Sequence, residues 1–422
     1  IDRLAAKGVL FTRWYGAAPA CNLSRAALMT GVRPFTSGVY HNPHPWRKAM
    51  PDTLTLPQHF MKHGYEAVGS GKIYHGAFPD PASWNDYLEK GGDPKPTAEV
   101  LNDPHSRAGG IVWGKLDVPV QQMNDYKMGN YAIEYLKKQH DKPFFLACGI
   151  FRPHMPWQVP QKYYDMYPLD KIQLPKTLDN DLEDIPEAGR KVAKPQGDHA
   201  TILKTDNWKH AVQAYLASIT FADEMVGRVV KALEESPHAD NTIIVLWGDH
   251  GWHLGEKHHW RKFALWEEAT RAPLIMVAPG VTKPNSICER TVDFMNIYPT
   301  LSELCGLPRP DHLEGVSLVS LLKQPDSAWD RPAITTHGRN NHAIRSERFR
   351  YIRYEDGSEE LYDHETDPME WKNLAKDPEF AKAKTELAKW LPKKNVPSIT
   401  PVGQNRKKGN AKKKANQKQK KN

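Results

Sequence analysis

The sequence contains few cysteines and no long apolar run. Its four cysteines, Cys21, Cys148, Cys288 and Cys305, show no Cys-x-x-Cys spacing in 422 residues, so neither a disulfide framework nor a zinc ribbon is predicted. Cys288 and Cys305 could form a disulfide or remain buried thiols. No apolar stretch approaches the roughly 18 residues of a membrane-spanning helix. Internal repeats and a His-Glu-x-x-His motif are also missing, which argues against a solenoid and a zinc protease.

Acidic residues are missing from residues 404–422. This segment carries nine basic residues, namely Arg406, Lys407, Lys408, Lys412, Lys413, Lys414, Lys418, Lys420 and Lys421. The rest of the chain has 49 basic and 50 acidic residues, so the net charge of +8 belongs to this tail. We therefore expect no nucleic-acid-binding face on the folded part. The tail is predicted to be disordered, or else to contact an anionic polymer, lipid or nucleic acid.

The remaining composition is that of a large folded protein. Hydrophobic residues make up 39% of the chain, with 13 Trp, 16 Tyr and 12 Phe, which excludes a disordered or collagen-like protein. The length allows one large domain or two. The chain starts at Ile1 inside a helix-like pattern that ends at Gly8, so we expect further residues upstream, where a signal peptide would stand.

Apolar runs typical of strands alternate with helical patterns. This alternation predicts an α/β fold with a mixed, mostly parallel sheet between helices. The predicted strands are 9–14, 65–70, 143–150, 241–247 and 273–278, of which the last three are expected in the core. The predicted helices are 1–8, 24–30, 54–63, 123–140 and 208–235. Residues 151–207, rich in Pro, Asp and Lys, are expected to cross the surface and shape a binding site.

The pattern changes after about residue 331. Short β-like runs at 333–336, 348–354 and 360–362 alternate with turn residues, and a helix near 378–391 follows. We therefore expect a main domain at 1–330, a smaller C-terminal antiparallel α+β subdomain at 331–400, and the tail at 404–422.

Cys21 immediately precedes a predicted helix, where the helix dipole favours a negative charge. Arg25 lies one helical turn further on and could hold that sulfur or an anion bound to it. A purely structural interpretation, in which Cys21 is a buried cysteine beside a capped helix, explains this segment equally well. The Cys-x5-Arg loop of thiol phosphatases does not fit, because position 27 is Ala27.

Further polar groups follow the other predicted strands. They are Lys72 and His75 after 65–70, His154 after 143–150, Asp249 and His250 after 241–247, and Lys262 soon after that pair. Parallel strands carry their carboxyl ends to one edge of a sheet, so these groups can converge, although each alone is often structural. Together they suit a tetrahedral oxyanion ester: cations neutralise its charge, Asp and His bind a metal, and a His protonates the leaving oxygen.

In this order, the motifs resemble those of the type I sulfatases of the alkaline-phosphatase-like superfamily, most closely the iduronate-2-sulfatase-like branch. The resemblance runs from Ile1 to about Leu374 and covers residues 21–31, 71–76, 151–154, 218–228, 249–256 and 361–368. It implies hydrolysis of a sulfate ester on a sulfated carbohydrate, such as a uronate-type polysaccharide fragment. It also implies a periplasmic or secreted location.

The resemblance further implies roles for single residues. Cys21 matches the cysteine that a formylglycine-generating enzyme oxidises to formylglycine, and Arg25 would hold the hydrated aldehyde. Asp249 and His250, with modified Cys21, would bind calcium, magnesium being the less favoured ion. Lys72 and Lys262 match residues that contact the sulfate oxygens. His75 would assist the nucleophile or the release of sulfate, and His154 would be the acid that protonates the leaving group. The residues that match sugar contacts are Trp46, Arg47 and Trp252.

Two departures from the family pattern support alternatives. Leu23 stands where the family has a proline that the modifying enzyme reads. The family's two adjacent aspartate ligands of calcium would stand upstream of Ile1, and a metal site with Asp249 and His250 alone would be weak. A catalytically silent carbohydrate-binding relative is therefore one alternative. A phosphoester or phosphonate hydrolase of the same superfamily is another, and the sugar, its sulfated position and the oligomeric state stay open.

Overall fold

The computed structural model describes residues 1–401, and the prediction for the tail at 404–422 lies outside the described residues. The α-helices in this part are Asp2–Ala5 (α1), Cys21–Thr30 (α2), Pro34–Ser37 (α3), Trp46–Ala49 (α4), Leu56–Lys62 (α5), Ala98–Asn102 (α6), Asn124–Leu136 (α7), Gln161–Tyr164 (α8), Glu187–Ala193 (α9), Asp198–Lys204 (α10), Trp208–Glu234 (α11), Glu267–Thr270 (α12), Ile297–Leu304 (α13), Val319–Lys323 (α14) and Ala381–Ala388 (α15). No helix within residues 1–401 combines the length and apolar character that crossing a bilayer would need.

Strands of the described residues fall into several small sheets. They are Val9–Tyr15 (β1), Glu66–Gly71 (β2), Asp86–Glu89 (β3), Arg107–Ala108 (β4), Ile111–Leu116 (β5), Phe144–Gly149 (β6), Trp157–Pro160 (β7), Ile244–Trp247 (β8), His253–Leu254 (β9), Trp260–Arg261 (β10), Arg271–Val277 (β11), Ser286–Asp293 (β12), Ala333–Thr336 (β13), His342–Arg345 (β14), Phe349–Arg353 (β15) and Glu359–Asp363 (β16).

Two sheets carry the polar residues that the sequence singled out. One has the order β12-β1-β11-β8, with β12 parallel to β1 and β11 antiparallel to both of its neighbours. The other has the order β3-β2-β6 and is parallel throughout. The predicted α/β fold with a mixed sheet is thus confirmed. The sequence pattern did not reveal β12 or the reversed direction of β11.

Strands 143–150 and 241–247, which were predicted in the core, are partly buried among the described residues. In β6 every residue before Gly149 is half-buried, and all of β8 is half-buried. Both are the last strands of their sheets among residues 1–401.

The longest helix forms because its apolar residues repeat with the helical period. On α11, Ala214, Ala217, Phe221 and Met225 are all buried along one stripe. That stripe packs against β5, β7 and α8 and forms a buried apolar cluster with them. The predicted helix at 208–235 is therefore confirmed to within one residue at its end.

A four-stranded antiparallel sheet follows residue 331, with the order β13-β14-β15-β16. The predicted run at 333–336 matches β13, and the predicted runs at 348–354 and 360–362 match β15 and β16 closely. The sequence analysis missed β14, because its four residues include His342 and Arg345 and show no apolar alternation. Cys288 and Cys305 are both free thiols.

Candidate active site

Helix α2 positions Cys21 and Arg25. All ten residues of this helix are buried, and Cys21 is its first residue, so the thiol lies at the positive end of the helix dipole. The hydroxyl of Ser24 donates to the backbone carbonyl of Asp249 over 2.6 Å. This bond ties the start of the helix to the end of β8, which sequence reasoning did not foresee.

Three strand ends bring the other groups to Cys21. Lys72 follows β2, His154 follows β6, and the pair Asp249 and His250 follows β8. The ends of β2 and β6 lie so close together that glycine is required, because a side chain at Gly149, the last residue of β6, would place its Cβ 2.4 Å from the backbone nitrogen of Lys72. The predicted convergence at the carboxyl ends of the strands is therefore what the structure has.

The sulfur of Cys21 is surrounded by nitrogen atoms. The ammonium of Lys262 donates to it over 2.8 Å and that of Lys72 over 3.5 Å, while Nε2 of His250 lies 3.3 Å away. His154 lies near enough to the thiol for each to affect the pKa of the other. An atom at this position would therefore be contacted from several sides by positive or proton-bearing groups.

Arg25 connects helix α2 to the residues that follow β2 and β8. Its Nε donates to the carboxylate of Asp249 over 2.7 Å, and its Nη1 donates to the backbone carbonyls of Lys72 and Ile73. Burial opposes ionisation of Asp249, but Arg25 and the neighbouring cations outweigh it and hold its pKa well below the ordinary value. Asp249 is therefore a carboxylate already shared with a guanidinium.

The two imidazoles have matching hydrogen bonds. Nδ1 of His250 donates to the carbonyl of Gly251 over 2.8 Å, and Nδ1 of His154 donates to that of Met155 over 2.6 Å. These bonds fix the tautomer of each neutral ring and leave its Nε2 as the free nitrogen. Burial lowers the pKa of His154, which strengthens its protonated form as an acid.

The charges of the site do not balance. Arg25, Lys72 and Lys262 face a single carboxylate, that of Asp249. Burial lowers the pKa of Lys72 to about 8, even though the nearby negative groups favour its charged form. Burial and Asp249 raise the pKa of the Cys21 thiol, but His250 and the hydrogen bonds from His154 and His250 bring it well below its usual value. Such a surplus of cations suits an anionic ligand.

Two further predicted residues lie at the margin of this site. His75 is half-buried, and burial lowers its pKa, with Cys21 opposing and the cations of the site reinforcing the shift. The ring of Trp252 lies 6.0 Å from the ammonium of Lys262 and packs edge-on against Trp157. Its indole nitrogen has no hydrogen-bond partner.

Two predicted sugar contacts are not among the residues that contact the Cys21 sulfur. Trp46 is fully buried, stacks on Tyr74 and donates its indole N–H to the carbonyl of Phe78, so it is a core residue. The structure therefore corrects this assignment, which sequence alone supported because it does not reveal burial. Arg47 pairs with Asp80 and lines a cavity of about 440 Å³, and its role as a sugar contact stays a prediction.

A metal ion could be approached by Cys21, Asp249 and His250, whose ligand atoms lie within 4.8 Å of one another. Calcium takes about six to eight oxygen ligands, and magnesium also requires oxygen. Here the described residues offer one carboxylate, and Arg25 already occupies one of its oxygens. The set does not fit either ion by itself.

Comparisons with known proteins agree with this geometry. The sulfatase family matches residues 1–307, and the family described as N-sulphoglucosamine sulphohydrolase, C-terminal, matches residues 255–396. A sulfatase of Formosa agariphila is 42% identical over 416 residues, which cover 94% of this chain and 81% of the relative. Iduronate 2-sulfatase of Mus musculus is 30% identical over 361 residues, which cover 74% of this chain and 64% of the relative.

The fold is shared with solved structures as well. A phosphonate monoester hydrolase from Silicibacter pomeroyi superposes with a TM-score of 0.77 at 22% identity, covering 92% of this chain and 88% of that protein. The cationic cluster, the family match over most of the chain and the common fold lead to one conclusion: this chain belongs to the sulfatase family, within the alkaline-phosphatase-like superfamily, and is a sulfuric ester hydrolase.

Proposed function

We propose that the protein hydrolyses a sulfate ester on a sulfated carbohydrate, of the uronate type or a related polysaccharide fragment, with a formylglycine formed from Cys21 as its reactive group. The observation that carries the proposal is the surplus of cations at the site: Lys72 and Lys262 donate to the Cys21 sulfur, and Arg25 pairs with Asp249 beside it. The uronate is suggested by the name of the iduronate 2-sulfatase to which the chain is similar.

Formylglycine would supply, as a hydrated aldehyde, the oxygen nucleophile for sulfur. Lys72 and Lys262 lie where they can contact the sulfate oxygens and neutralise their charge. In its imidazolium form, His154 carries a proton on Nε2 as well as on the Nδ1 that bonds to the Met155 carbonyl, and it would give the Nε2 proton to the sugar oxygen as the ester bond breaks. His75, at the margin, would accept the proton that the second hydroxyl of the hydrate loses when the aldehyde re-forms and sulfate leaves.

Calcium stays a prediction, and no step above depends on it. It requires oxygen ligands beyond the Asp249 carboxylate. Elemental analysis of the purified natural protein, with Asp249→Asn as the comparison, tests it: a stoichiometric metal that the variant loses supports the prediction.

Sulfate release from a panel of sulfated uronate oligosaccharides tests the activity. The wild-type protein is expected to release sulfate, and matched aryl sulfate and aryl phosphate substrates measure its preference between the two esters. No release from any panel member, with formylglycine verified, would reject the proposal. A faster reaction with the phosphate would support the phosphoester alternative instead.

Mass spectrometry of the peptide containing Cys21 tests the modification. Replacement of the thiol side chain by an aldehyde lowers the mass by about 18 Da. Cys288 is a suitable internal control, because it is buried elsewhere and its thiol donates to the carbonyl of Pro325. An unmodified Cys21 after expression with a competent formylglycine-generating enzyme would support the silent carbohydrate-binding relative, whose motivation is Leu23. Leu23 itself is buried in the apolar core beneath the site.

The proposed place of action is the periplasm or the exterior of the cell, which is supported by the family resemblance. Fractionation of cells expressing the protein from its natural gene checks this. Recovery in the cytoplasmic fraction alone would contradict it.

A further inference from the structure

We infer that His259 is a positioning residue for Lys262, acting together with residues 178–198, which hold the surrounding segment in place. The inference rests on the proposed role of Lys262 as a sulfate contact. It assigns a task in the reaction to a buried histidine and to part of the long surface segment, neither of which reaches the reacting atoms.

The segment that carries Lys262 has an unfavourable backbone. Four of its non-glycine residues have positive φ, namely Lys257 at 54°, His258 at 46°, Arg261 at 82° and Phe263 at 73°. Residues other than glycine rarely adopt this conformation, and it persists only where surrounding contacts enforce it. Lys262 lies between two of these positions, so its backbone depends on whatever holds the segment.

Residues 178–198 supply those contacts. Besides His259, three side chains of the segment bond to this region: Lys257 to the carboxylate of Asp181 at 2.5 Å, His258 to the carbonyl of Leu178 at 3.1 Å, and Arg261 to the carboxylate of Asp198 at 2.5 Å. The pair of Lys257 and Asp181 is almost fully buried, with 2% of each side chain exposed. The segment is therefore fastened at both sides of His259.

His259 makes the contact nearest to the reactive lysine. Its Nδ1 lies 2.9 Å from the carbonyl oxygen of Ala193, the last residue of α9, and its Nε2 lies 2.9 Å from the carbonyl oxygen of Lys262. Only 6% of the residue is exposed. Both partners are acceptors, so each ring nitrogen can take part only as a donor: a neutral ring makes one bond, and an imidazolium makes both.

This arrangement links the end of a helix to the backbone of Lys262. The last carbonyls of a helix lack partners within the helix, and His259 reaches one of them. Fixing the Lys262 carbonyl fixes where its side chain begins, and its ammonium lies 2.8 Å from the Cys21 sulfur. A displacement of about 1 Å at a reacting position can lower a rate about 100-fold, so loss of this anchor should be visible in turnover.

Two substitutions separate the hydrogen bonds from the shape of the ring. His259→Phe keeps a flat ring beside His253 and Trp266 but removes the ring nitrogens and their ability to donate, and we expect kcat/KM for a sulfate ester to fall ~10- to 100-fold. His259→Gln keeps N–H donors and should recover part of that loss. The control is His59→Phe, because His59 is buried like His259 but neither of its ring nitrogens has a hydrogen-bond partner. The His59→Phe protein should keep the activity of the wild type.

A double-mutant cycle with Lys262→Ala is the deciding experiment. If His259 acts through Lys262, the loss caused by His259→Phe disappears in the Lys262→Ala background. The affinity of each protein for inorganic sulfate, measured by calorimetry, should follow the same pattern without any turnover. An equal loss from His259→Phe in both backgrounds, or full activity of His259→Phe, would overturn the inference. Failure of the wild-type protein to hydrolyse any sulfate ester would instead reject the proposed function.

Discussion

Two buried clusters contain the same kinds of side chain but differ in charge balance. In the Cys21 site, Arg25, Lys72 and Lys262 face the carboxylate of Asp249. The second cluster, here called the Arg350 network, consists of Glu267, Glu370, Arg345, Arg350 and His364. It also brings carboxylates and an imidazole within metal-binding distance of one another.

The Arg350 network balances its charges internally. Arg350 is fully buried and pairs with both Glu267 and Glu370, while Arg345 pairs with Glu267 and His364 bonds to Glu370 at 2.9 Å. Each of the four carboxylate oxygens of Glu267 and Glu370 already accepts a hydrogen bond from the protein, and the network joins β14 and β15 to α12. A balanced cluster thus holds two parts of the fold together, whereas an unbalanced one is arranged for an external anion.

The largest expected effect is on activity. Cys21→Ala should lower kcat/KM by on the order of 1,000-fold or more, because the reactive group is lost, with little change in the melting temperature. His154→Ala should cost on the order of 100-fold or more through loss of the proton donor. Steady-state rates and thermal melts check both variants, and loss of folding in both would make them structural residues.

Substitutions in the Arg350 network should lower the stability of the protein and not its catalytic rate. Arg350→Met removes the only guanidinium that pairs with Glu370 among the described residues and leaves Glu267 with Arg345, so it should lower the free energy of unfolding by about 3–5 kcal/mol, while folded molecules keep their turnover. Denaturant titration measures the loss. Arg350→Met combined with Glu370→Gln should be less unstable than the single variant, and a stable Arg350→Met protein would contradict the distinction between the clusters.

Removing a cation from the Cys21 site should stabilise the protein. Burial lowers the pKa of Lys72 to about 8, so below that pH the folded state holds a charge that the unfolded state accommodates more easily. This penalty is complete below pH 8 and fades as the pH rises towards the ordinary lysine value of about 10.4. Lys72→Met should therefore gain roughly 2 kcal/mol at pH 7 and lose activity. An equal or lower stability at pH 7 would sink this expectation.

The smallest effect is expected at Glu268, whose carboxylate lies near the Arg350 network but pairs with neither of its arginines. Burial, helped by Glu256, Glu267 and Glu370, raises its pKa to about 7. The folded state therefore binds a proton that the unfolded state has released, so stability falls as the pH rises from about 4.5 to 7. Glu268→Gln should melt higher than wild type at pH 8 and equal it near pH 4, as read from melting temperatures across this range.

Sequence could predict much of the Cys21 site because parallel strands deliver their ends to one edge. The strands ending near residues 70, 150 and 247 were visible as apolar runs, and the polar residues after them stood out. Lys262 is different: it follows no core strand, so it entered the predicted site through its closeness in sequence to Asp249 and His250, and its role as a sulfate contact came from the family resemblance.

The Arg350 network could not be predicted in the same way. Its members come from α12, β14, β15 and the turn after β16, and no spacing in the chain connects them. Burial was equally hidden, since Trp46 looks the same in the sequence whether it lies in a core or at a sugar subsite. Tertiary contacts decide these cases.

The complete burial of α2 sets an order of events during biosynthesis. Cys21 is 1% exposed and forms part of a helix packed on all sides, so a second enzyme cannot draw this stretch into its own cleft once the surrounding layers have assembled. Any chemical change at position 21 must therefore be made while the stretch is still extended and accessible. The time during which this stretch is still accessible therefore limits how many molecules could carry the modification that we propose for Cys21.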